Sequence, residues 1–118
     1  MKFAADIAIG LVALLHAYFL VLEMFLWDKA YGRRVFKTTP EFAAASKTLA
    51  ANQGLYNGFL VAGLVWGMAM GEAGLQVKVF FLACVVIAGV FGAVTASRNI
   101  LFAQAIPGII ALALVLQD

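Results

Sequence analysis

The chain has 118 residues, of which 65% are hydrophobic and 12% charged, and its formal net charge is +2. A soluble domain carries about a quarter charged residues, so half of the usual polar coat is missing, and a mean hydropathy of +1.03 points to a surface that faces lipid. The length allows one domain and excludes a separate soluble catalytic module, and the lone Cys84 excludes an intramolecular disulfide and a cysteine-based zinc site.

The first apolar segment runs from about residue 3 to residue 27. Lys2 precedes it as in a signal peptide, but the run outlasts the roughly 7–15 residues of a signal-peptide core. No small-x-small cleavage site comes before the charges of Asp28 to Arg34, so the segment reads as a retained helix. It carries His16, Tyr18 and Glu23. A basic loop from Asp28 to Thr39 follows. The second helix spans about residues 41–71, because Pro40 suits a first helical turn. Its alanine-rich start, Glu41 to Ala51, reads as interfacial and leads into Asn52-Gln53-Gly54-Leu55-Tyr56-Asn57-Gly58. The third helix spans about 77–97 and carries Thr95; the fourth spans about 100–117 and contains Gln104 and Pro107.

Each segment approaches the ~20 residues that cross a ~30 Å hydrocarbon core, and alanine-rich runs without alternation argue against a β-barrel. The connections Gly71–Gln76 and Arg98–Asn99 are short, which forces antiparallel neighbours. The expectation is an all-α, four-transmembrane-helix antiparallel bundle, a single integral membrane domain over residues 1–118. Lys29, Arg33, Arg34, Lys37, Lys47 and Arg98 fall on one side. Lys2 and Lys78, offset by Asp6, Glu72 and Asp118, fall on the other. The positive-inside rule then puts both termini outside a bacterial cytoplasmic membrane. The basic loop serves that topogenic role and contacts anionic headgroups.

Small residues recur at helical spacing: Gly54/Gly58/Ala62, Gly63/Gly67/Gly71, Ala88/Gly92/Ala96 and Gly89/Ala93/Ser97. Such rows let backbones approach closely in lipid, where van der Waals contact drives association. They serve packing within the bundle first and offer a homo-oligomer surface second.

An ionised group near the bilayer centre costs at least ~2.5–3.5 kcal/mol, so intramembrane polar residues face the bundle interior and often mark function. With the first and third helices running inward, Glu23, Asn52, Gln53, Thr95 and Gln104 fall in the cytoplasmic third. Tyr56 and Asn57 lie slightly deeper and His16 near the middle. These eight form the candidate ligand-binding layer. His16 and Glu23 are seven apart, hence on one face and ~10 Å apart along the axis. Phe19 and Leu20 could fill the space between them, or Gln53, Asn57 or Gln104 could reach in. Pro107 removes a backbone donor and frees the carbonyl near Ala103 in the same layer. Glu23 could instead pair with Arg33, Arg34 or Lys47 at the interface. One histidine and one carboxylate two turns apart make poor metal provision. No nucleophile sits poised beside the histidine, so no catalytic residue is assigned, and nothing indicates a cofactor or nucleic-acid binding.

At these residues the sequence resembles domain-of-unknown-function family 1304, small bacterial and fungal membrane proteins. The resemblance lies in His16-Ala17-Tyr18-Phe19, Glu23-Met24-Phe25-Leu26-Trp27 and Asn52-Gln53-Gly54-Leu55-Tyr56-Asn57-Gly58-Phe59-Leu60. It continues in Ala88-Gly89-Val90-Phe91-Gly92-Ala93-Val94-Thr95 and Gln104-Ala105-Ile106-Pro107. It covers nearly the whole chain and implies a multi-pass membrane protein without an established activity or substrate. The leading functional expectation is a membrane protein that binds, and moves, a small solute or proton at the polar layer, with His16 as the titratable group. One alternative is a membrane-embedded enzyme acting on a hydrophobic substrate. Another is a structural or accessory subunit docked through the glycine rows.

Overall fold

The computed structural model describes residues 2–96, 99 and 101–117, which are mostly helical with no strand among them. Ser97, Arg98, Ile100 and Asp118, expected in a small-residue row, the third loop, the fourth helix and the outer charge set, lie outside the described residues. Helix α1 (Lys2–Met24) buries Ala5, Ile9, Val12, Ala13 and His16, a stripe at three- and four-residue steps. It stops short of Trp27, because the Leu26 amide donates to the Val21 carbonyl (3.2 Å) and unwinds the last turn.

The segment expected as an open loop contains a second helix, α2 (Ala30–Phe36). Lys37 closes it in the left-handed region (φ 58°), with its amide donating to the Arg33 carbonyl. Buried Gly32 lies against the Leu26 carbonyl, where any Cβ would clash. Two turns carrying two arginines show no apolar stripe, so hydrophobic periodicity does not reveal this helix.

Helix α3 (Pro40–Ala69) begins on its proline, and Thr39 Oγ1 accepts from the Phe42 amide at 3.1 Å. Gly71 (φ 62°) ends that run and opens a 3₁₀ turn, Gly71–Gly74, before α4 (Leu75–Thr95). A π-helical turn, Leu101–Ala105, leads into α5 (Ile106–Leu116). The widening falls where Pro107 has no N–H to offer the Ala103 carbonyl.

Among the described residues two helical stretches, Lys2–Met24 and Gly71–Thr95, are long and apolar enough to cross a membrane; Phe102–Leu116 is apolar but shorter. The expected four spanning helices reduce to two on this measure. α3 has the length, but Asn52, Gln53 and Asn57 dilute its hydropathy.

The chain divides into two compact units. The first combines the residues up to Leu14 with those from Ala62 onward, and the second is Leu15–Val61. In the first, Leu82, Val85, Ala105, Ala111 and Val115 form a core between α4, the π turn and α5. Gly89 and Gly108 allow that approach. A Cβ on Gly89 would lie 2.6 Å from the Ala105 amide nitrogen, and one on Gly108 would lie 2.9 Å from Val85 Cγ1. In the second unit Leu22, Ala43, Ala50 and Gly54 are buried.

Overpacking against backbone that cannot yield costs about 1–3 kcal/mol. Gly89→Ala should therefore destabilise by about that amount. Gly10→Ala, where a Cβ would meet nothing within 4 Å, should be neutral or stabilising by up to ~1 kcal/mol. Thermal unfolding of the two detergent-solubilised variants checks the contrast, and equal Tm values would contradict it.

Candidate functional site

The site forms where α3 crosses the second half of α1. Gly54 and Gly58 stand one turn apart on α3. A Cβ on Gly54 would approach Met24 Cγ to 2.5 Å and Glu23 Cβ and the Leu20 carbonyl to 3.2 Å. One on Gly58 would sit 3.0 Å from Leu20 Cδ1. Both glycines thus bring the two backbones together around Leu20 and Glu23. In that crossing Asn57 Nδ2 donates to Glu23 Oε1 at 2.5 Å, and Asn57 is only 7% exposed.

His16 is fully buried, with its ring edge-on to Phe19 at a centroid distance of 5.7 Å. Leu20, packed on Gly58, occupies the same side of α1 between His16 and Glu23. The expected interior orientation of the second-helix polar run holds for one residue of four. Asn52, Gln53 and Tyr56 are exposed, and Tyr56 stacks edge-on to Phe59 at 6.0 Å. The reason is angular. The buried line on α3 runs Ala43, Ala50, Gly54, Asn57, a narrow stripe; Gln53 and Tyr56, each next to one of its members, turn ~100° away, and Asn52, two residues from Ala50 and Gly54, lies on the far side. Leu64, further along α3, is fully buried.

Thr95 and Gln104 belong to the first unit. Thr95 is exposed, and its hydroxyl donates back to the Phe91 carbonyl at 2.7 Å. Gln104 is half-buried in the π turn. Among the eight expected residues, Asn57 and Glu23 are joined directly.

The basic side chains anticipated for Glu23 are engaged elsewhere. Lys47 Nζ pairs with Asp28 Oδ2 at 3.1 Å, and Arg33 Nη1 donates to the Asp28 carbonyl at 2.7 Å. The Arg34 guanidinium lies over the Tyr31 ring, 5.8 Å from its centroid. The same region is stitched by residues that sequence reasoning passed over. Trp27 Nε1 donates to Ser46 Oγ at 3.0 Å, Ser46 donates to the Phe42 carbonyl at 2.7 Å, and the Tyr18 and Tyr31 hydroxyls meet at 2.6 Å. The Trp27 ring packs on Phe36 with centroids 4.9 Å apart. The available signal was compositional: tryptophan and tyrosine, with polar tips on apolar rings, beside basic residues. The first unit holds another overlooked pair, Lys78 Nζ to Asp6 Oδ1 at 3.3 Å, with the Lys78 side chain 9% exposed. A lysine in the first turn of an apolar helix was its signal.

A family model described as protein of unknown function (DUF1304) matches residues 10–116. The chain belongs to this family. It is also similar to the uncharacterized protein YpaA of Lactococcus lactis subsp. lactis (strain IL1403). The two are 32% identical over 104 residues, covering 86% of this chain and 87% of that protein. No solved structure matches. Within this DUF1304 chain the matched span includes His16, Glu23, Gly54 and Asn57, whereas Lys2 and Asp6 precede it.

Lys47 holds the Asp28 carboxyl below its usual range, chiefly through its hydrogen bond and also through its charge, against a smaller opposing effect of burial. A lowered folded-state value means the stabilisation is complete above the unfolded value of ~3.9 and fades as pH falls through the lower one. Wild type should therefore unfold at a higher temperature than Asp28→Asn near neutral pH, with the gap closing as the solution is acidified below the unfolded value of ~3.9. A gap independent of pH would assign the effect to something other than this ion pair.

Proposed function

We propose that this DUF1304 protein is an integral membrane protein in which α1, α3, α4 and the π turn with α5 cross the bilayer, both termini lying outside. We propose further that it binds a small solute or proton at Glu23, held by Asn57, with His16 as the second titratable group. The membrane reading is supported by what the apolar helices leave uncovered. Less than a third of each apolar window in α1 and in Gly71–Thr95 is buried, and Phe3, Leu11, Leu14, Phe80, Ile87, Phe91 and Val94 are all exposed. The core helix of a soluble protein would show the reverse. α1 also contributes Ala5 and Ile9 to the folded interior, as a retained helix does. The four-fold crossing draws on the small loops and on the basic residues gathered between α1 and α3.

One observation carries the functional reading. A carboxylate in an apolar helix is expensive, and a neutral glutamine at position 23 could clamp to Asn57 at lower cost. Glu23 instead keeps an ionisable group at the crossing, and Asn57 occupies one of its oxygens. The other oxygen is the natural acceptor for a proton or a hydrogen-bonding solute. Buried His16 lies two turns away on the same helix and is the second candidate titratable group.

Purified protein reconstituted in vesicles loaded with a pH-sensitive dye tests this under an imposed pH gradient. Wild type should speed proton equilibration, and Glu23→Gln and His16→Ala should each slow it by ~10-fold, about 1.4 kcal/mol of lost coupling, while remaining helical and monodisperse. Tryptophan emission titrated with pH reports binding without transport and should lose its midpoint in the same variants. If both folded variants match wild type in both readouts, the pair is structural and the chain is an accessory subunit.

A further inference from the structure

The first unit contains a cleft of about 450 Å³ lined by Lys2, Gly71, Glu72, Leu75, Lys78 and Val115, well removed in sequence from Glu23 and Asn57. We propose that it binds a zwitterionic phospho-ammonium group, such as the ethanolamine phosphate headgroup of a lipid, with phosphate oxygens on Lys78 and Lys2 and the ammonium on Glu72. The proposal rests on the membrane reading only for the source of that group, and on nothing at Glu23.

Lys78 is the key residue. Its stem lies against Gly67, where a Cβ would meet Lys78 Cγ at 2.9 Å and its backbone nitrogen at 3.1 Å, so the side chain is held by packing. Its ammonium has three donors, and among the described residues it meets one acceptor, Asp6 Oδ1 at 3.3 Å. Charge-assisted bonds normally close to about 2.7–2.9 Å. A buried cation with a single long contact is under-coordinated, and a phosphate offers several oxygens at once.

The rest of the lining selects the other end of the ligand. Lys2 and Glu72 form a loose pair at 3.6 Å, with side chains 57% and 91% exposed. Exposed pairs of this kind contribute little, so both groups are free to turn toward a ligand. Two lysines face two carboxylates, Asp6 included, so the cleft favours a ligand without net charge over a simple anion. Leu75 and Val115 add apolar wall for the first carbons of an attached chain. The volume falls within the range of about 300–1,000 Å³ for small-molecule sites.

Native mass spectrometry of the full-length protein, released from detergent with added lipids, reads the preference. Phosphatidylethanolamine should be retained ~10-fold over phosphatidylglycerol, which lacks the ammonium, and over phosphatidylcholine, whose ammonium cannot donate. Lys78→Met should remove that preference. If this variant fails to fold, Glu72→Gln changes a side chain 91% exposed and should shift retention from phosphatidylethanolamine toward phosphatidylglycerol several-fold. Water-soluble phosphoethanolamine forms a second arm. Binding of the lipid alone assigns the acyl chain to Leu75 and Val115, and binding of both assigns recognition to the headgroup. Equal retention of all three lipids, or an unchanged preference in Glu72→Gln, overturns the proposal, whatever the proton measurements at Glu23 show.

Discussion

Within Leu15–Val61 everything depends on how closely α3 can lie on α1. Gly54 and Gly58 remove the side chains that would hold the helices apart, so Leu20 and Glu23 press on the α3 backbone. Only at that separation can the short Asn57 side chain reach the Glu23 carboxylate at 2.5 Å. The contact is therefore a consequence of backbone proximity, and the polar chemistry is secured by two residues that have no chemistry of their own. Asp28, Lys47, Trp27 and Ser46 then tie the start of α3 to the segment that follows α1, fixing the register of the crossing.

The same device recurs in the other unit. Phe81 lies where Gly63 has no Cβ, Lys78 is seated on Gly67, and Ala105 approaches Gly89. Helices in lipid gain no hydrophobic free energy by associating with one another, because the acyl chains are as apolar as leucine. Close van der Waals contact and interhelical polar bonds must supply the difference. Many large apolar residues, among them Phe3, Leu14, Phe80, Ile87 and Phe91, stay exposed, while Ile9, Leu22, Leu64 and Leu82 fill the interior beside the small residues.

The all-α class, the family resemblance and the small-residue rows were legible in the sequence, because they depend on composition and helical spacing alone. Proline at position 40 likewise signalled a helix start. Other features depend on which ~100° of a helix faces its neighbour. Four polar residues within six positions cannot all occupy that arc, and the glycines decide that Asn57 faces in while Asn52, Gln53 and Tyr56 face out. Pairings such as Lys47 with Asp28 or Lys78 with Asp6 join residues distant in the chain and leave no local pattern. Helix α2 leaves no hydrophobic pattern in the sequence, because its two turns are held by Lys37 in a left-handed cap and by Gly32. The missing donor of Pro107 and the freed carbonyl near Ala103 were legible, whereas the π turn that carries Gln104 at that place leaves no pattern in the sequence.

A double-mutant cycle on Glu23→Ala and Asn57→Ala, read by reversible unfolding in mixed detergent, measures the central contact directly. Interhelical polar bonds in membrane proteins contribute about 0.6–2 kcal/mol, and a coupling energy in that range is the result expected here. Additive effects within ~0.3–0.5 kcal/mol, the behaviour of independent sites, would contradict a crossing organised around Glu23 and Asn57.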